Sequence, residues 1–156
     1  MAGKTSTIAF ALLGVAIAAI GVMIGVLMAR HGAMKVGGKV DVEGTSLGTF
    51  WFGVNDCESG AAFVPPYLGA NLRAEGGYGL RVVDSGDKAR LWVFSQGGKQ
   101  GALTIDKGNC SEWDVVVDWA HKTANRVSMV NGHVRVQCAV GGGTVKANVT
   151  FERCAQ

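Results

Sequence analysis

The sequence predicts an all-β protein, an antiparallel β-sandwich or jelly roll preceded by one N-terminal transmembrane helix. Three observations support this prediction. The first is an uncharged apolar run over residues 8–28. The second is period-two alternation of apolar and polar residues in the rest of the chain, which is typical of half-buried strands. The third is that many of the 24 glycines fall in pairs or triplets between short apolar runs, as turns require.

The apolar run is long enough to cross a membrane. As a helix it would span roughly 31 Å, which matches a bilayer core of about 30 Å and exceeds the apolar core of a signal peptide. Cleavage after Ala29 or Ala33 would place a large residue at position −3. We therefore expect a retained signal anchor at 8–29, between an N-terminal tail at 1–7 and a juxtamembrane linker at 30–44. Secretion after cleavage is the alternative.

Small residues in this segment fall on one helical face. They are spaced by three and four positions, and the last two form a GxxxG pair. Such a face lets two helices approach closely in lipid. It therefore predicts that this helix packs against another helix, either of a different protein or of a second copy of the chain. The predicted helix-packing residues are Ala11, Gly14, Ala18, Gly21 and Gly25.

The charge of the chain argues against a nucleic-acid partner. Four of the 15 basic residues precede Val40, which leaves 15 − 4 = 11 against 12 acidic residues in the remainder. The net charge of that remainder is therefore about −1. It lacks the basic surface that binds phosphate backbones.

Cysteines and flanking charges disagree about the side of the membrane on which the domain lies. Three basic residues after the apolar run, against Lys4 before it, favour a cytoplasmic domain by the positive-inside rule. An even number of cysteines without metal-ligand spacing favours disulfides in an oxidising space. We give the cysteines more weight and expect a periplasmic domain on a single-pass protein of a bacterial inner membrane. Four cysteines allow three pairing patterns, of which we expect Cys138 with Cys154 and Cys57 with Cys110.

The predicted β-sandwich covers residues 45–156. Thr49–Val54 reads as a strand, and Tyr78–Asp84 with Lys88–Ser95 reads as a hairpin. The Asn131-Gly132 dipeptide is a strong hairpin signal. The C-terminal part is therefore expected to be a four-stranded antiparallel meander, with strands at 113–120, 124–130, 133–140 and 144–153.

The spacing of cysteines, glycine turns and strands resembles a known group of proteins. The pattern runs through "CESG", "VNGHVRVQC" and "VTFERC", and the matching residues are Cys57, Ser59, Gly60, Asn131, Gly132, Cys138, Phe151 and Cys154. Over most of residues 45–154 the chain resembles uncharacterised secreted and lipid-anchored β-domains of myxobacteria and related bacteria. The resemblance implies a disulfide-stapled β-fold outside the cytoplasm and carries over no activity. The chain departs from that group by having a membrane helix in place of a lipidated cysteine.

The sequence predicts no catalytic residue, no metal site and no cofactor. Ser59 lacks the GxSxG frame of a hydrolase nucleophile. His121 and His133 lack a third metal ligand in the sequence around them. Two acidic pairs are typical of a hairpin turn and of a solvated strand face: Asp84 with Asp87, and Asp114 with Asp118.

Aromatic residues supply the more informative candidates. We expect the four tryptophans to lie mainly in the core, with a recognition surface as the alternative: Trp51, Trp92, Trp113 and Trp119. The apolar loop 62–69 contains both prolines of the chain and is either a packed crossover or an exposed patch that needs a partner. Its candidate contact residues are Phe63, Pro65, Pro66, Tyr67 and Leu68.

These observations predict a non-enzymatic, membrane-anchored envelope protein. Its β-sandwich would be a structural or accessory subunit that contacts proteins through the helix stripe and loop 62–69. The alternative is a module that binds carbohydrate or peptidoglycan through surface tryptophans. A small hydrolase is a third class, which the candidate residues favour least.

Overall fold

The computed structural model describes residues 33–84, 86, 88–98 and 101–155. These residues form ten β-strands and no α-helix, which confirms the all-β prediction. The strands are β1 (Lys35–Thr45), β2 (Gly48–Gly53), β3 (Asp56–Ser59), β4 (Gly69–Arg73), β5 (Gly79–Val83), β6 (Arg90–Phe94), β7 (Ala102–Asp106), β8 (Cys110–Ala124), β9 (Val127–Val140) and β10 (Gly143–Cys154).

The strands form two five-stranded antiparallel sheets. Sheet A has the order β2-β1-β10-β9-β8, and sheet B has the order β3-β4-β5-β6-β7. One hydrophobic core collects the inward residues of both sheets, as in a β-sandwich. Its largest fully buried side chains include Leu72, Leu80, Leu91, Ile105 and Phe151.

The period-two pattern places the faces of β9 and β10 as expected. Val134, Val136 and Cys138 are buried on β9, and the intervening Arg135 and Gln137 are exposed. The facing residues of β10 are buried in the same alternation: Val145, Ala147, Val149 and Phe151. Alternation fixes which side chains point inward because successive residues of a strand face opposite sides of the sheet.

The predicted hairpin at Asn131-Gly132 is wrong, because β9 runs through it without a break. Gly132 occupies an inward position between Val130 and Val134, where an added Cβ would collide with the Phe151 ring and the carbonyl oxygen of Val116. The glycine is therefore needed for close packing rather than for a turn. The side chain of Asn131 accepts a hydrogen bond from the Arg153 amide at 2.7 Å.

The turn that joins β8 and β9 lies instead at Asn125 and Arg126. Both residues have positive φ, 49° and 68°, as a tight two-residue hairpin turn requires. The segments expected as strands at 124–130 and 133–140 are thus one strand, and β8 extends beyond the expected 113–120. An Asn-Arg pair is a weak turn signal, since arginine rarely adopts this conformation.

The sandwich starts earlier than expected. Residues 35–44, which were assigned to the juxtamembrane linker at 30–44, belong to β1, which pairs with β10 on one side and β2 on the other. Gly37 and Gly38 interrupt the alternation of apolar and polar residues in β1, so the sequence does not mark it clearly as a strand. An added Cβ at Gly38 would collide with the backbone of Asn148 on β10, so this glycine lets the two strands approach.

All four cysteines form disulfides, but the expected pairing is wrong. The bonds join Cys57 to Cys154 and Cys110 to Cys138. Cys138 lies opposite Val145 on β10 and opposite Cys110 on β8, so it cannot reach Cys154 at the far end of β10. Glu58 of β3 forms a bridge with Ala155, and this contact brings Cys57 beside Cys154.

The predicted anchor helix at 8–29, with its packing residues Ala11, Gly14, Ala18, Gly21 and Gly25, lies outside the described residues. Within the described part of the chain, no helix has the length and apolar character needed to cross a bilayer.

Candidate interaction surfaces

Ser59 anchors the loop that precedes β4. Its side chain is fully buried, and its hydroxyl donates to the carbonyl oxygen of Ser128 at 2.7 Å. The same oxygen accepts a hydrogen bond from the Ala61 amide at 3.2 Å and so caps the single-turn 3₁₀ helix Gly60–Ala62. Both partners are backbone groups, so the geometry gives Ser59 a structural role at the root of the loop.

The loop is closed on itself by backbone hydrogen bonds. The amides of Phe63 and Tyr67 both donate to the carbonyl oxygen of Gly60, each at 3.2 Å. The rings of Phe63 and Tyr67 lie 5.7 Å apart between centroids. Leu68 packs against the core, and its carbonyl oxygen accepts a hydrogen bond from the Asp84 amide at 2.8 Å. Phe63, Tyr67 and Leu68 are therefore half-buried anchors of the loop.

The tip of the loop is apolar and exposed. Pro65 and Pro66 are exposed, as is Val64, whose exposed fraction of 98 % exceeds that of every other large apolar residue among those described. Val64 was not among the predicted contact residues. Its position between Phe63 and the two prolines is the sequence feature that could have identified Val64 as a contact residue.

A polar cluster supports the loop from the outer face of sheet B. The side-chain oxygen of Asn71 accepts hydrogen bonds from the Tyr67 hydroxyl at 3.2 Å and from Arg81 Nε at 2.6 Å. The Arg81 guanidinium carbon lies 5.7 Å from the Phe63 ring and 5.6 Å from the Phe94 ring, within cation–π range. Burial raises the pKa of Tyr67, and the nearby charge of Arg81 opposes that rise.

Asn71 and Arg81 are not among the site residues that the sequence predicts. Both are polar residues in alternating strands, a pattern that ordinarily indicates a solvated face. The register of sheet B places them directly opposite each other on β4 and β5. That pairing joins residues ten positions apart, and only the register of the two strands reveals it.

A cleft of about 360 Å³ opens beside this cluster. Its walls include aromatic rings, the Arg81 side chain and the glycine-rich turns before β5 and after β6. The neighbouring Arg73 is paired with Glu58 at 3.0 Å and with Asp56 at 3.1 Å. The cleft thus offers ring surfaces, the guanidinium groups of Arg73 and Arg81 and the carboxylate of Glu58 beside Phe63 of the loop. Lining residues are Phe63, Asn71, Tyr78, Arg81, Phe94 and Gly97.

The tryptophans do not share one environment, so their expected placement in the core is only partly right. Trp113 packs against the core, and Trp92 is half-buried on β6. Trp119 is 39 % exposed near the end of β8. Trp51 is 65 % exposed on edge strand β2, with Lys39 Nζ 5.0 Å from its ring centroid.

His133 is half-buried rather than free in solvent. Its Nε2 lies 2.9 Å from Asp114 Oδ1, and Arg135 Nη1 lies 3.5 Å from the other oxygen of that carboxylate. The contact with His133 is the main reason that the pKa of Asp114 is lowered, and the charges of His133 and Arg135 add to it. The described residues contain no group of three or more side chains able to hold a metal ion.

The remaining acidic candidates do not converge. Asp118 is exposed on the same strand as Asp114, and the side chain of Asp84 accepts a hydrogen bond from the Gly86 amide at 2.8 Å, as turn residues do. Asp87 lies outside the described residues.

No family model matches the chain, and no curated protein or solved structure shows significant similarity to it.

Proposed function

We propose that this chain is a non-enzymatic, membrane-anchored envelope protein whose β-sandwich is a structural or accessory module for protein contacts. The predicted helix at 8–29 would hold it in a bacterial inner membrane, with the sandwich in the periplasm. The two disulfides support an oxidising compartment, since such bonds are rare in the cytosol. Association of the helix stripe with a second helix belongs to the same proposal.

The observation that carries the proposal is the exposed apolar tip of loop 62–69 on a fixed base. Val64, Pro65 and Pro66 face solvent, although burying apolar surface is favourable. A cluster of neighbouring apolar residues that stays exposed is typical of a contact site.

The base of the loop explains why the tip would bind well. Three hydrogen-bonding groups hold the loop: the Ser59 hydroxyl, the Gly60 carbonyl oxygen and the Asn71 side chain. Each prolyl ring also restricts the backbone φ angle. A tip held in one conformation loses little entropy on binding, so more of the contact energy appears as affinity.

A photocrosslinking experiment in native membranes tests this proposal. A benzoylphenylalanine probe replaces Pro66 in the full chain, and a control probe replaces Thr150 on the exposed outer face of sheet A. We expect a discrete protein adduct from position 66 and none from position 150. Val64→Asp in the Pro66 probe chain should abolish the adduct, because a carboxylate cannot be buried in an apolar contact.

The controls decide between a specific contact and random collision. Thr150→Asp in the Pro66 probe chain should leave the adduct unchanged. Adducts that form equally from both probe positions, or that survive Val64→Asp, would contradict the proposal. An adduct of twice the mass of the chain would identify a second copy as the partner.

A second candidate function rests on Trp51. Its exposed ring lies beside Lys39 and opposite Asp41, so a flat stacking surface adjoins charged hydrogen-bonding groups. Such a surface suits a sugar ring, which stacks on aromatic faces and bonds through its hydroxyls. Soluble peptidoglycan fragments should then change the tryptophan fluorescence of the protein, and Trp51→Phe should remove that change while Trp92→Phe keeps it.

A further inference from the structure

The hairpin formed by β8 and β9 projects beyond the rest of sheet A. Cys154 at the end of β10 lies opposite Val130. Of the β9 residues that pair with β10, Val130 is the one nearest to the turn between β8 and β9. Beyond that point, β8 and β9 pair only with each other as far as Ala124 and Val127. We call residues 119–130 the projecting hairpin. A bulge in it sets three residues of β8, 120–122, against Met129 alone on β9, and His121 has a positive φ of 51°.

The projecting hairpin lies at the end of sheet A where the chain enters the sandwich. Lys35, the first residue of β1, pairs with Glu152 near the end of β10. The hydroxyl of Ser59 donates to Ser128, so the root of loop 62–69 contacts the same hairpin. The start of β1, the loop root and the hairpin therefore share one end of the sheet.

The chemistry of the projecting hairpin is cationic and amphipathic. Its sequence, WAHKTANRVSMV, contains no carboxylate. Lys122 and Arg126 are exposed, and Trp119, which is partly exposed, lines a shallow groove with Lys122 and Met129. Two carboxylates lie at its base, Asp118 and Glu152, and Glu152 is 3.7 Å from Lys35.

We propose that the projecting hairpin rests on the headgroups of anionic phospholipids. Lys122 and Arg126 would pair with lipid phosphates, and Trp119 would lie at the boundary between headgroups and acyl chains. Basic residues near a membrane gain attraction from anionic lipids, and tryptophan is enriched at this boundary. Protein contact by this hairpin is the competing explanation, and it predicts that brominated lipid does not quench Trp119.

The length of the chain before β1 supports a lipid partner over a protein partner. This step rests on the proposed function, because it takes residues 8–29 as the membrane anchor. Five residues lie between Ala29 and Lys35, so six backbone steps join these two residues. Fully extended, they reach only about 20 Å. The start of β1 and the hairpin at that end of sheet A therefore remain close to the bilayer surface.

The test uses the full chain reconstituted into two kinds of vesicle. One contains phosphatidylcholine and phosphatidylglycerol in equal parts, and the other contains phosphatidylcholine alone. Both carry the same fraction of brominated acyl chains, which quench tryptophan at the membrane boundary. The quenching due to Trp119 is the difference between the wild-type chain and Trp119→Phe.

We expect Trp119 to be quenched in the anionic vesicles and not in the neutral ones. Salt of about 1 M should abolish the quenching, because it shortens the screening length to about 3 Å. Lys122→Glu/Arg126→Glu should abolish it as well, and Lys122→Gln/Arg126→Gln should reduce it. The matched control, Lys107→Glu/Lys146→Glu, makes the same change in net charge at two exposed lysines elsewhere and should retain the quenching.

The outcomes distinguish failure of the lipid contact at the projecting hairpin from failure of the membrane anchor. If alkaline carbonate releases the full chain from both vesicles, the anchor is absent and the proposed function fails together with this inference. If the chain stays in the vesicles but Trp119 is equally quenched in both lipids, or not at all, the lipid contact is wrong while the anchor stands. A near-ultraviolet circular dichroism spectrum that matches the wild-type spectrum shows that each variant has folded.

Discussion

The two disulfides stabilise regions of different kinds. Cys57–Cys154 joins β3 of sheet B to the end of β10 in sheet A, and both cysteines are fully buried. Cys110–Cys138 joins opposite residues of neighbouring strands in sheet A, and Cys110 is only half-buried. The first bond therefore holds the junction between the sheets, and the second holds the edge pair β8–β9.

The difference shows how position in the fold changes the effect of the same chemical bond. A crosslink restricts the unfolded chain more when it joins residues farther apart in sequence. The separations are 97 residues for the junction and 28 for the edge pair. The edge pair also has a long backbone ladder, interrupted by two bulges, and a tight turn of its own, whereas the junction has one isolated bridge between Glu58 and Ala155 and the hydrogen bond from Ser59 to Ser128.

The largest expected effect is loss of the junction disulfide. Cys57→Ala/Cys154→Ala should lower the free energy of unfolding by about 4.7 kcal/mol, and Cys110→Ala/Cys138→Ala by about 3.6 kcal/mol, from the entropy of loop closure. Urea unfolding followed by tryptophan fluorescence measures both values. If the two variants lose equal free energy of unfolding, or Cys110→Ala/Cys138→Ala loses more, the junction is held mainly by packing rather than by its crosslink.

The next effect concerns packing beside the junction. Gly132→Ala should lower the free energy of unfolding by about 1–3 kcal/mol, because the new methyl group meets the Phe151 ring and neighbouring backbone. Gly37→Ala on β1 is the matched control, since nothing lies within 4 Å of its added Cβ. The same urea titration measures both variants. Equal stability of the two would contradict the close approach of Phe151 to β9.

The smallest effect concerns the edge pair and depends on pH. The pKa of Asp114 is lowered by its contact with His133, so the folded protein favours the ionised carboxylate. This contribution is present above the ordinary Asp pKa of 3.8 and is lost as the pH falls through the lower value of the folded state. Asp114→Asn should therefore lower the melting temperature slightly at neutral pH and leave it unchanged in strong acid.

Melting curves across the acidic range test this pH dependence. Asp118→Asn is the control, because Asp118 is also exposed on β8, and we expect no comparable change. A difference between Asp114→Asn and the wild-type chain that persists in strong acid would show that the effect does not arise from the charge of Asp114.

Several parts of the fold could be predicted because the evidence for them is local. The inward faces of β9 and β10 follow from alternation, and the hairpin of β5 and β6 follows from two apolar runs around a short polar turn. The loop at Pro65-Pro66 was found because prolines and aromatic residues are grouped there. Its division into the anchors Phe63, Tyr67 and Leu68 and an exposed tip depends on contacts with residues elsewhere.

Other parts escaped because a local signal competed with a distant contact. Asn131-Gly132 has the composition of a turn, but Phe151 from the next strand occupies the space above Gly132. The glycine-rich start of β1 resembles a linker, but β10 pairs with β1 from Lys35 to Glu43. In both cases a partner strand decides the conformation.

By itself, the sequence determined that this protein is a β-structure with strands of defined inward faces, because alternation acts through the geometry of each strand. The even number of cysteines in a strand-rich domain likewise indicated disulfides. Only the tertiary structure decided which cysteines meet, which tryptophans remain at the surface and which end of sheet A carries the projecting hairpin. These depend on strand order and register, which bring together residues as distant as Cys57 and Cys154 and which no short stretch of sequence encodes.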